Sequence, residues 1–290
     1  MLAQCQKGEL NHGVFYLQTE KPGPDEHHAG AAVFPCDLVD RWKGQPPRAV
    51  FTLLHGYTND GDDWVNMSAA LRYAADNNIA LVIPDAGNSF YHDTASNQAY
   101  HTWLTEEMPL LLDQIVKLPH EREKNFICGL SMGGYGALML ALNHPERYAG
   151  CASFSGAVAM HLMLGQKDNP LVRYVFEPVY GQALELPENR DLFRLVQKVS
   201  ALPAEQQPKI LCTTGRQDHE PYYIYEQNQA FRQLAQSLPV DYTYMDWDGG
   251  HEWAFWDRSL VYAIDRFVNP GYADQILKGW SSEAFTTERG

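Results

Sequence analysis

The sequence lacks any apolar stretch that approaches the roughly 20 residues needed to span a bilayer. Its first ten residues, MLAQCQKGEL, also lack the apolar core of a secretory signal peptide. Lys and Arg form no cluster, and the formal net charge is −14. Because phosphate binding needs clustered basic side chains, we expect neither nucleic acid nor a membrane surface as a partner.

Cysteine is scarce and irregularly spaced. The five residues are Cys5, Cys36, Cys128, Cys151 and Cys212, an odd number with no metal-ligand or redox spacing. The last three lie inside apolar runs, where a free cysteine behaves as a small hydrophobic residue. This usage is typical of a reducing compartment, so we expect a cytoplasmic protein.

The chain is long enough to bury a substantial core without metal or disulfide crosslinks. Its 290 residues are 45% hydrophobic and 20% charged, which is ordinary for a globular protein. We find no internal repeat and no low-complexity segment. Since α/β folds often reach about 250 residues as one unit, we predict a single domain over residues 1–290.

From residue 49 onward, apolar runs typical of buried strands alternate with segments of helical spacing. The predicted strands cover residues 49–54, 79–83, 125–128, 150–154, 209–213 and 240–247, and the predicted helices cover 64–77, 100–118, 132–143, 223–238 and 251–268. This alternation predicts an α/β fold with a mainly parallel central sheet flanked by helices. Such sheets carry their reactive groups on loops at the carboxyl ends of the strands.

The alternation breaks between residues 157 and 207, a segment rich in Leu, Pro and charge with two short helical pieces. We interpret this segment, called the insertion below, as a lid over the strand ends. The alternative is a structural connection with no role in binding. Residues 271–290 either dock on the body or serve as an arm for a homo-oligomer, and the sequence does not decide between them.

The stretch Gly129-Leu-Ser131-Met-Gly133 contains the pattern G-x-S-x-G. Alone the pattern is weak, since it occurs by chance in roughly one chain of this length in ten. Here an apolar strand precedes it and a helix of small residues follows, which is the context that a nucleophilic serine requires. Ser131 is therefore our candidate nucleophile, and the alternative is a glycine-rich turn that serves packing only.

A nucleophilic serine needs amide donors for the oxyanion that forms during the reaction. The amide of Met132, directly after the serine, is one candidate. The amide of Tyr57 is the second, because this residue follows the predicted strand that ends at His55-Gly56. We interpret His55 as a residue that holds this loop.

A serine hydroxyl also needs a base and an acid that orients the base. His251 lies in a glycine-bent loop between the last predicted strand and the last helix, and is the candidate base; His219 is interpreted as a surface or pocket-edge residue. Asp218, on the loop after the strand at 209–213, is the candidate acid. Its competitors are Glu220, Asp246, Asp248 and Asp257.

Four motifs together resemble the esterase D family: LHGYT at 54–58, GNSFY at 87–91, GLSMGGYG at 129–136 and GHEW at 250–253. The likeness is closest to its tributyrin-esterase branch, which is similar to feruloyl and acetyl esterases, and it covers roughly residues 50–267. It implies an α/β-hydrolase that cleaves short-chain acyl esters of small molecules without metal or cofactor. Matched to these motifs, it gives the catalytic residues Ser131, Asp218 and His251, with Tyr57 and Met132 as amide donors.

The resemblance fixes the mechanism better than the substrate. The family also includes S-formylglutathione hydrolases and mycolyltransferases, so an acyltransferase and a thioester hydrolase stay open as alternatives. A non-catalytic binding protein is a third alternative, which the complete set of serine, acid, histidine and glycines disfavours.

Overall fold

The computed structural model describes residues 14–20, 27–33, 45–116, 118–278 and 286–289. Its strands are β1 Val14–Glu20, β2 His27–Val33, β3 Ala49–Leu54, β4 Ile79–Pro84, β5 Asn125–Leu130, β6 Gly150–Phe154, β7 Lys209–Gly215, β8 Tyr242–Trp247 and β9 Thr286–Arg289. They form one sheet in the order β1-β2-β4-β3-β5-β6-β7-β8-β9. Strands β3 to β8 pair in parallel, and β1, β2 and β9 pair antiparallel at the two edges. The predicted mainly parallel sheet is confirmed.

Helices cover both faces of this sheet. They are α1 Asp62–Asn66, α2 Ala70–Asn77, α3 Tyr100–Thr102, α4 Met108–Ile115, α5 Met132–Asn143, α6 Met160–Leu164, α7 Pro170–Tyr180, α8 Leu192–Ser200, α9 Ile224–Gln236, α10 Trp253–Phe267 and α11 Tyr272–Ile276, with short 3₁₀ turns at Arg122–Lys124, Glu188–Arg190 and Ala204–Gln206. Within the described part of the chain, none of these helices has the length and apolar character that a bilayer span requires.

The core is divided by the sheet into two apolar clusters. Side chains alternate across a strand, so Val50 and Leu54 of β3 face one cluster while Phe51 and Leu53 face the other. The first cluster contains the apolar faces of α4, α5, α8 and α9, and the second contains those of α1, α2, α10 and α11. Because both faces are covered, the central strands are buried almost throughout, as parallel strands require.

The predicted helix at residues 64–77 is interrupted between α1 and α2. The carboxylate of Asp257 accepts hydrogen bonds from the amide of Ala69 (2.7 Å) and from the hydroxyl of Tyr73 (2.7 Å). The first amides of a helix have no acceptor within the helix. Asp257 supplies the acceptor for the amide of Ala69, the residue that precedes α2. A carboxylate from α10 therefore fixes the start of α2.

The predicted helix at residues 100–118 forms, with one widened π turn at Trp103–Glu107 between α3 and α4. Pro109 follows this turn, and proline has no N–H to donate to the carbonyl four residues earlier. That carbonyl belongs to Thr105, and it accepts a hydrogen bond from the guanidinium of Arg147 instead (2.6 Å). The widened turn thus has a local cause in the proline.

The insertion divides into two parts with different surroundings. Helix α8 packs against α5 and α9 and belongs to the layer of helices on one face of the sheet. Helices α6 and α7 contribute side chains to the cavity described below. Of the residues described beyond α10, those of α11 pack on α10 and those of β9 pair with β8.

Candidate active site

Ser131 occupies a strained elbow between β5 and α5, with φ 52° and ψ −116°. Two glycines make room for this turn. A Cβ at Gly129 would lie 2.2 Å from the carbonyl oxygen of Gly133, and a Cβ at Gly133 would lie 2.3 Å from that of Leu54. Both distances are far below van der Waals contact, so each position requires glycine. A positive φ at a non-glycine residue is costly, and the surrounding structure must hold it in place.

His251 lies between Ser131 and Asp218. Its Nε2 is 2.9 Å from the Oγ of Ser131, and its Nδ1 is 2.8 Å from Oδ2 of Asp218. The Asp218 side chain is only 5% exposed, whereas that of His251 is 28% exposed. The structure therefore joins the three predicted side chains in one hydrogen-bonded line that ends at the serine hydroxyl.

Aromatic rings border His251 on two sides. The ring of Trp256 stands perpendicular to the imidazole at a centroid distance of 5.0 Å, and the ring of Tyr222 lies 6.5 Å away. Together with the bond to Asp218, these contacts limit the rotation of the imidazole.

The other carboxylates considered for the acid lie elsewhere. Asp246 pairs with the guanidinium of Arg216 (2.7 Å), and Asp248 is exposed near the same arginine. Asp257 holds the start of α2, as described above. Glu220 lines the cavity next to Ser131, but in the structure Asp218 is the carboxylate that bonds the imidazole.

The residues of the two predicted amide donors, Tyr57 and Met132, line the same cavity as Ser131. Met132 is the first residue of α5, and Tyr57 follows the end of β3. Among the described residues, neither amide has a hydrogen-bond acceptor. An amide without an acceptor at the N-terminus of α5, where the helix dipole is positive, suits a developing negative charge.

His55 holds the loop that carries Tyr57. The imidazole is fully buried; its Nδ1 donates to the carbonyl of Gly56 (2.8 Å), and its Nε2 accepts from the amide of Ala86 (3.0 Å). The hydroxyl of Tyr91 donates to the carbonyl of His55 (2.7 Å). Through these bonds His55 holds the loop that carries Tyr57, as the sequence indicated.

A cavity of about 960 Å³ opens around Ser131 and His251. Its apolar lining residues include Phe90, which packs on Phe176 of α7, and Val172 of the same helix. The lining also includes Tyr222, whose ring centroid lies 6.5 Å from that of His251, and the carboxylates of Glu220 and Glu252. The insertion thus supplies part of the cavity wall through α6 and α7.

A buried polar network behind the cavity was not predicted. Nε2 of His92 lies 2.8 Å from the hydroxyl of Tyr135 and 3.2 Å from that of Tyr180, and Tyr135 also donates to the carbonyl of Arg190 (2.7 Å). Burial, and then the charges of Arg190 and His101, hold the pKa of His92 well below its usual value. The network links α5, the end of α7 and the loop that carries Phe90.

A metal site is not evident in the described ranges, where no three His, Cys, Asp or Glu side chains are arranged to hold an ion. The acidic turn at residues 60–63 is organised by its own hydrogen bonds. The amide of Asp62 donates to Asp60 (3.0 Å), and the side chain of Asn59 donates to Asp63 (2.7 Å).

Comparison with known proteins supports a relationship to esterases. The model of the Esterase family, described as "Putative esterase", matches residues 40–267. An acetyl esterase of Caldicellulosiruptor saccharolyticus is 30% identical over 219 residues, which cover 73% of this chain and 80% of the relative.

Two solved structures from Staphylococcus aureus are also similar, each at 26% identity over 88% of this chain. One is the fluorophosphonate-binding serine hydrolase FphF, with a TM-score of 0.75 over 98% of its own chain. The other is the S-formylglutathione hydrolase FrmB, with a TM-score of 0.71 over 99% of its own chain. The sequence match over most of the chain, together with the fold, confirms the resemblance stated from the motifs: this chain belongs to the Esterase family.

Proposed function

We propose that this chain hydrolyses carboxylic esters of small molecules through an acyl-serine intermediate. Ser131 is the nucleophile, His251 the general base and Asp218 the residue that orients the histidine. The observation that carries the proposal is the hydrogen-bonded line from Asp218 through His251 to Ser131, with distances of 2.8 and 2.9 Å.

The first half of the reaction transfers the acyl group to the serine. Oγ of Ser131 attacks the carbonyl carbon while Nε2 of His251 accepts the hydroxyl proton. The carbonyl oxygen becomes an oxyanion, which the amides of Tyr57 and Met132 stabilise. The tetrahedral intermediate then collapses, the bond to the alcohol oxygen breaks, and His251 delivers its proton to that oxygen.

The second half repeats these steps with water. His251 removes a proton from a water molecule, whose oxygen attacks the acyl carbon, and the bond to Oγ of Ser131 breaks. The proton returns to Oγ, and a carboxylic acid leaves. Throughout, Asp218 accepts the Nδ1–H of His251, which keeps Nε2 directed at the serine and stabilises the imidazolium that forms.

The insertion acts as a lid in this account. Helix α7 supplies Val172 and Phe176 to the cavity, so it separates the reacting ester from part of the solvent. Water exclusion strengthens the interactions of the oxyanion with its amide donors. The cavity of about 960 Å³ lies at the upper end of the range for small-molecule sites, which favours a small ester over a polymer chain.

The test is hydrolysis of p-nitrophenyl butyrate by the Ser131→Ala variant. We expect kcat/KM to fall by about a thousandfold or more, with the melting temperature close to that of the parent protein. Ser237→Ala, an exposed serine at the end of α9, is the matched control and should keep full activity. A Ser131→Ala protein that stays nearly as active as the parent would refute the proposal.

Thioester hydrolysis by the same residues is a second candidate. The observation that favours it is the structural similarity, at 26% identity, to a protein named as an S-formylglutathione hydrolase. Measuring kcat/KM for a butyryl thioester against the matching oxygen ester, both with a neutral leaving group, separates the two activities. A thioester preference well above the difference in intrinsic reactivity would make this candidate the better one.

A further inference from the structure

The lining of the cavity around Ser131 contains two chemically different sets of residues. Phe90, Val172 and Phe176 are apolar lining residues, with Phe90 packed on Phe176, and are called the acyl side because an apolar surface suits an acyl chain. The lining residues that adjoin the histidine and its acid partner in space or in sequence are Tyr222, Glu252 and Glu220, together with Trp256, and are called the leaving-group side. In the proposed reaction, on which this inference rests, His251 must protonate the departing alcohol oxygen. The alcohol therefore departs along the side that adjoins the histidine.

The leaving-group side carries negative charge. Glu220 lies two residues after Asp218, and Glu252 directly follows His251. Neither carboxylate forms an ion pair with a described Lys or Arg. Of the described residues that line the cavity, none is a Lys or an Arg. The formal net charge of the whole chain is −14. No Lys or Arg among these lining residues offsets the two carboxylates.

The same side offers an aromatic surface. Tyr222 is 42% exposed, and its ring centroid lies 6.5 Å from that of His251. The face of an aromatic ring attracts a cation, in particular an ammonium group that has lost part of its hydration. Carboxylates and an aromatic face beside the leaving group form a surface complementary to positive charge.

We propose that the leaving-group side selects esters by the charge of their alcohol, with cationic alcohols preferred over neutral ones and neutral over anionic ones. Glu220, Glu252 and Tyr222 are the specificity-determining residues. Thioesters of anionic thiols such as glutathione, which carries a net negative charge, are accordingly poor substrates.

The experiment compares three butyrate esters that differ in the charge of the alcohol. They are butyrylcholine, its neutral isostere 3,3-dimethylbutyl butyrate, and the anionic 2-sulfoethyl butyrate, with acid release followed by titration on the full chain. At low salt we expect kcat/KM for the cation to exceed that for the neutral isostere roughly three- to tenfold, and the anion to be the slowest. Both carboxylates are exposed, so the differences should shrink as salt screens them.

Single substitutions assign the selectivity to residues. Glu220→Gln and Glu252→Gln should each lower the ratio of cation to neutral ester roughly two- to fivefold, and Tyr222→Leu should also lower it. Glu205→Gln is the matched control, because it removes the same charge from an exposed 3₁₀ turn outside the cavity lining. Its ratio should equal that of the parent protein.

Two results would overturn this inference. One is a parent protein without charge preference, either because kcat/KM is equal for the three esters or because it hydrolyses p-nitrophenyl butyrate but none of the three. The other is an unchanged ratio in the double variant Glu220→Gln, Glu252→Gln. If the parent protein hydrolyses neither p-nitrophenyl butyrate nor the three esters, the proposed function itself fails, which is a distinguishable outcome.

Discussion

Nε2 of His251 lies 2.9 Å from Oγ of Ser131, although 120 positions separate the two residues in the chain. The parallel sheet explains this proximity. Ser131 follows β5, Asp218 follows β7 and His251 follows β8, and the carboxyl ends of these strands lie at one edge of the sheet. Loops that leave this edge bring the three side chains together.

The first prediction concerns the orienting carboxylate. Asp218→Asn replaces the acceptor of the Nδ1–H with an amide of the same shape, which favours the wrong tautomer of His251. We expect kcat for p-nitrophenyl butyrate to fall about 10²- to 10⁴-fold, with little change in melting temperature. Asp248→Asn removes an exposed carboxylate from the neighbouring loop and should stay within about twofold of the parent activity.

The second prediction concerns the elbow. A Cβ at position 133 would meet the backbone carbonyl of Leu54 at 2.3 Å, and backbone cannot move aside cheaply. Gly133→Ala should lower the free energy of unfolding by at least about 2 kcal/mol and remove most activity. At Gly250 a Cβ meets nothing within 4 Å, so Gly250→Ala should change the free energy of unfolding by less than about 1 kcal/mol. Equal denaturation midpoints for the two variants would contradict the tight packing of the elbow.

The third prediction concerns pH. The pKa of buried His92 lies well below its usual value. At a pH just below that usual value, the imidazole is protonated in the unfolded chain but neutral in the folded protein. The free energy of unfolding should therefore fall as the pH drops below about 6.5, by up to about 1.4 kcal/mol per pH unit for this group. Partial burial of His101 and His144 lowers their pKa values as well and adds to the slope.

Denaturant unfolding at several pH values between about 7.5 and 5.5 measures this slope. His92→Gln cannot titrate, so its stability should depend less steeply on pH even if the variant is less stable throughout. A slope that is identical in the variant and the parent protein would contradict a lowered pKa of His92 in the folded state.

The fourth prediction concerns the lid. Phe176 on α7 is buried against the acyl side and packs on Phe90 at a centroid distance of 5.0 Å. Phe176→Leu removes part of this wall, so the ratio of kcat/KM for octanoyl to butyryl esters should rise roughly three- to tenfold. Tyr174→Leu changes a residue of the same helix that is largely exposed to solvent, and its ratio should not change. An unchanged ratio in Phe176→Leu would assign the acyl group to another part of the cavity.

Much of the fold could be predicted because the signals are local. Helix α5 and strand β6 have the predicted bounds, since a run of small apolar residues and a short apolar run each determine the local structure. The break between α1 and α2 could not be predicted, because Asp257, which bonds the amide of Ala69, lies 188 positions further along the chain. The widened turn at Trp103–Glu107, by contrast, has a local sign in the sequence, which is Pro109.

In the candidate site, too, some features have a local sequence signal and others depend on contacts between distant residues. Ser131 stands in a contiguous motif, and the loops that carry Asp218 and His251 follow recognisable strands, so their proximity could be expected from the order of elements. The network of His92, Tyr135 and Tyr180 joins positions separated by 43 and 88 residues, and no pattern in the sequence pairs them. Contacts of this kind depend on how helices pack, which periodicity does not specify.

The central claim is that Ser131 is the nucleophile, and covalent labelling tests it most directly. A fluorophosphonate probe should add its mass once per chain, peptide mapping should place the adduct on Ser131, and Ser131→Ala should not be labelled. The fraction of hydrolytic activity that is lost should equal the fraction of the protein that carries the adduct. An active protein that is labelled at another residue, or that hydrolyses esters at full rate without any adduct, would contradict the account.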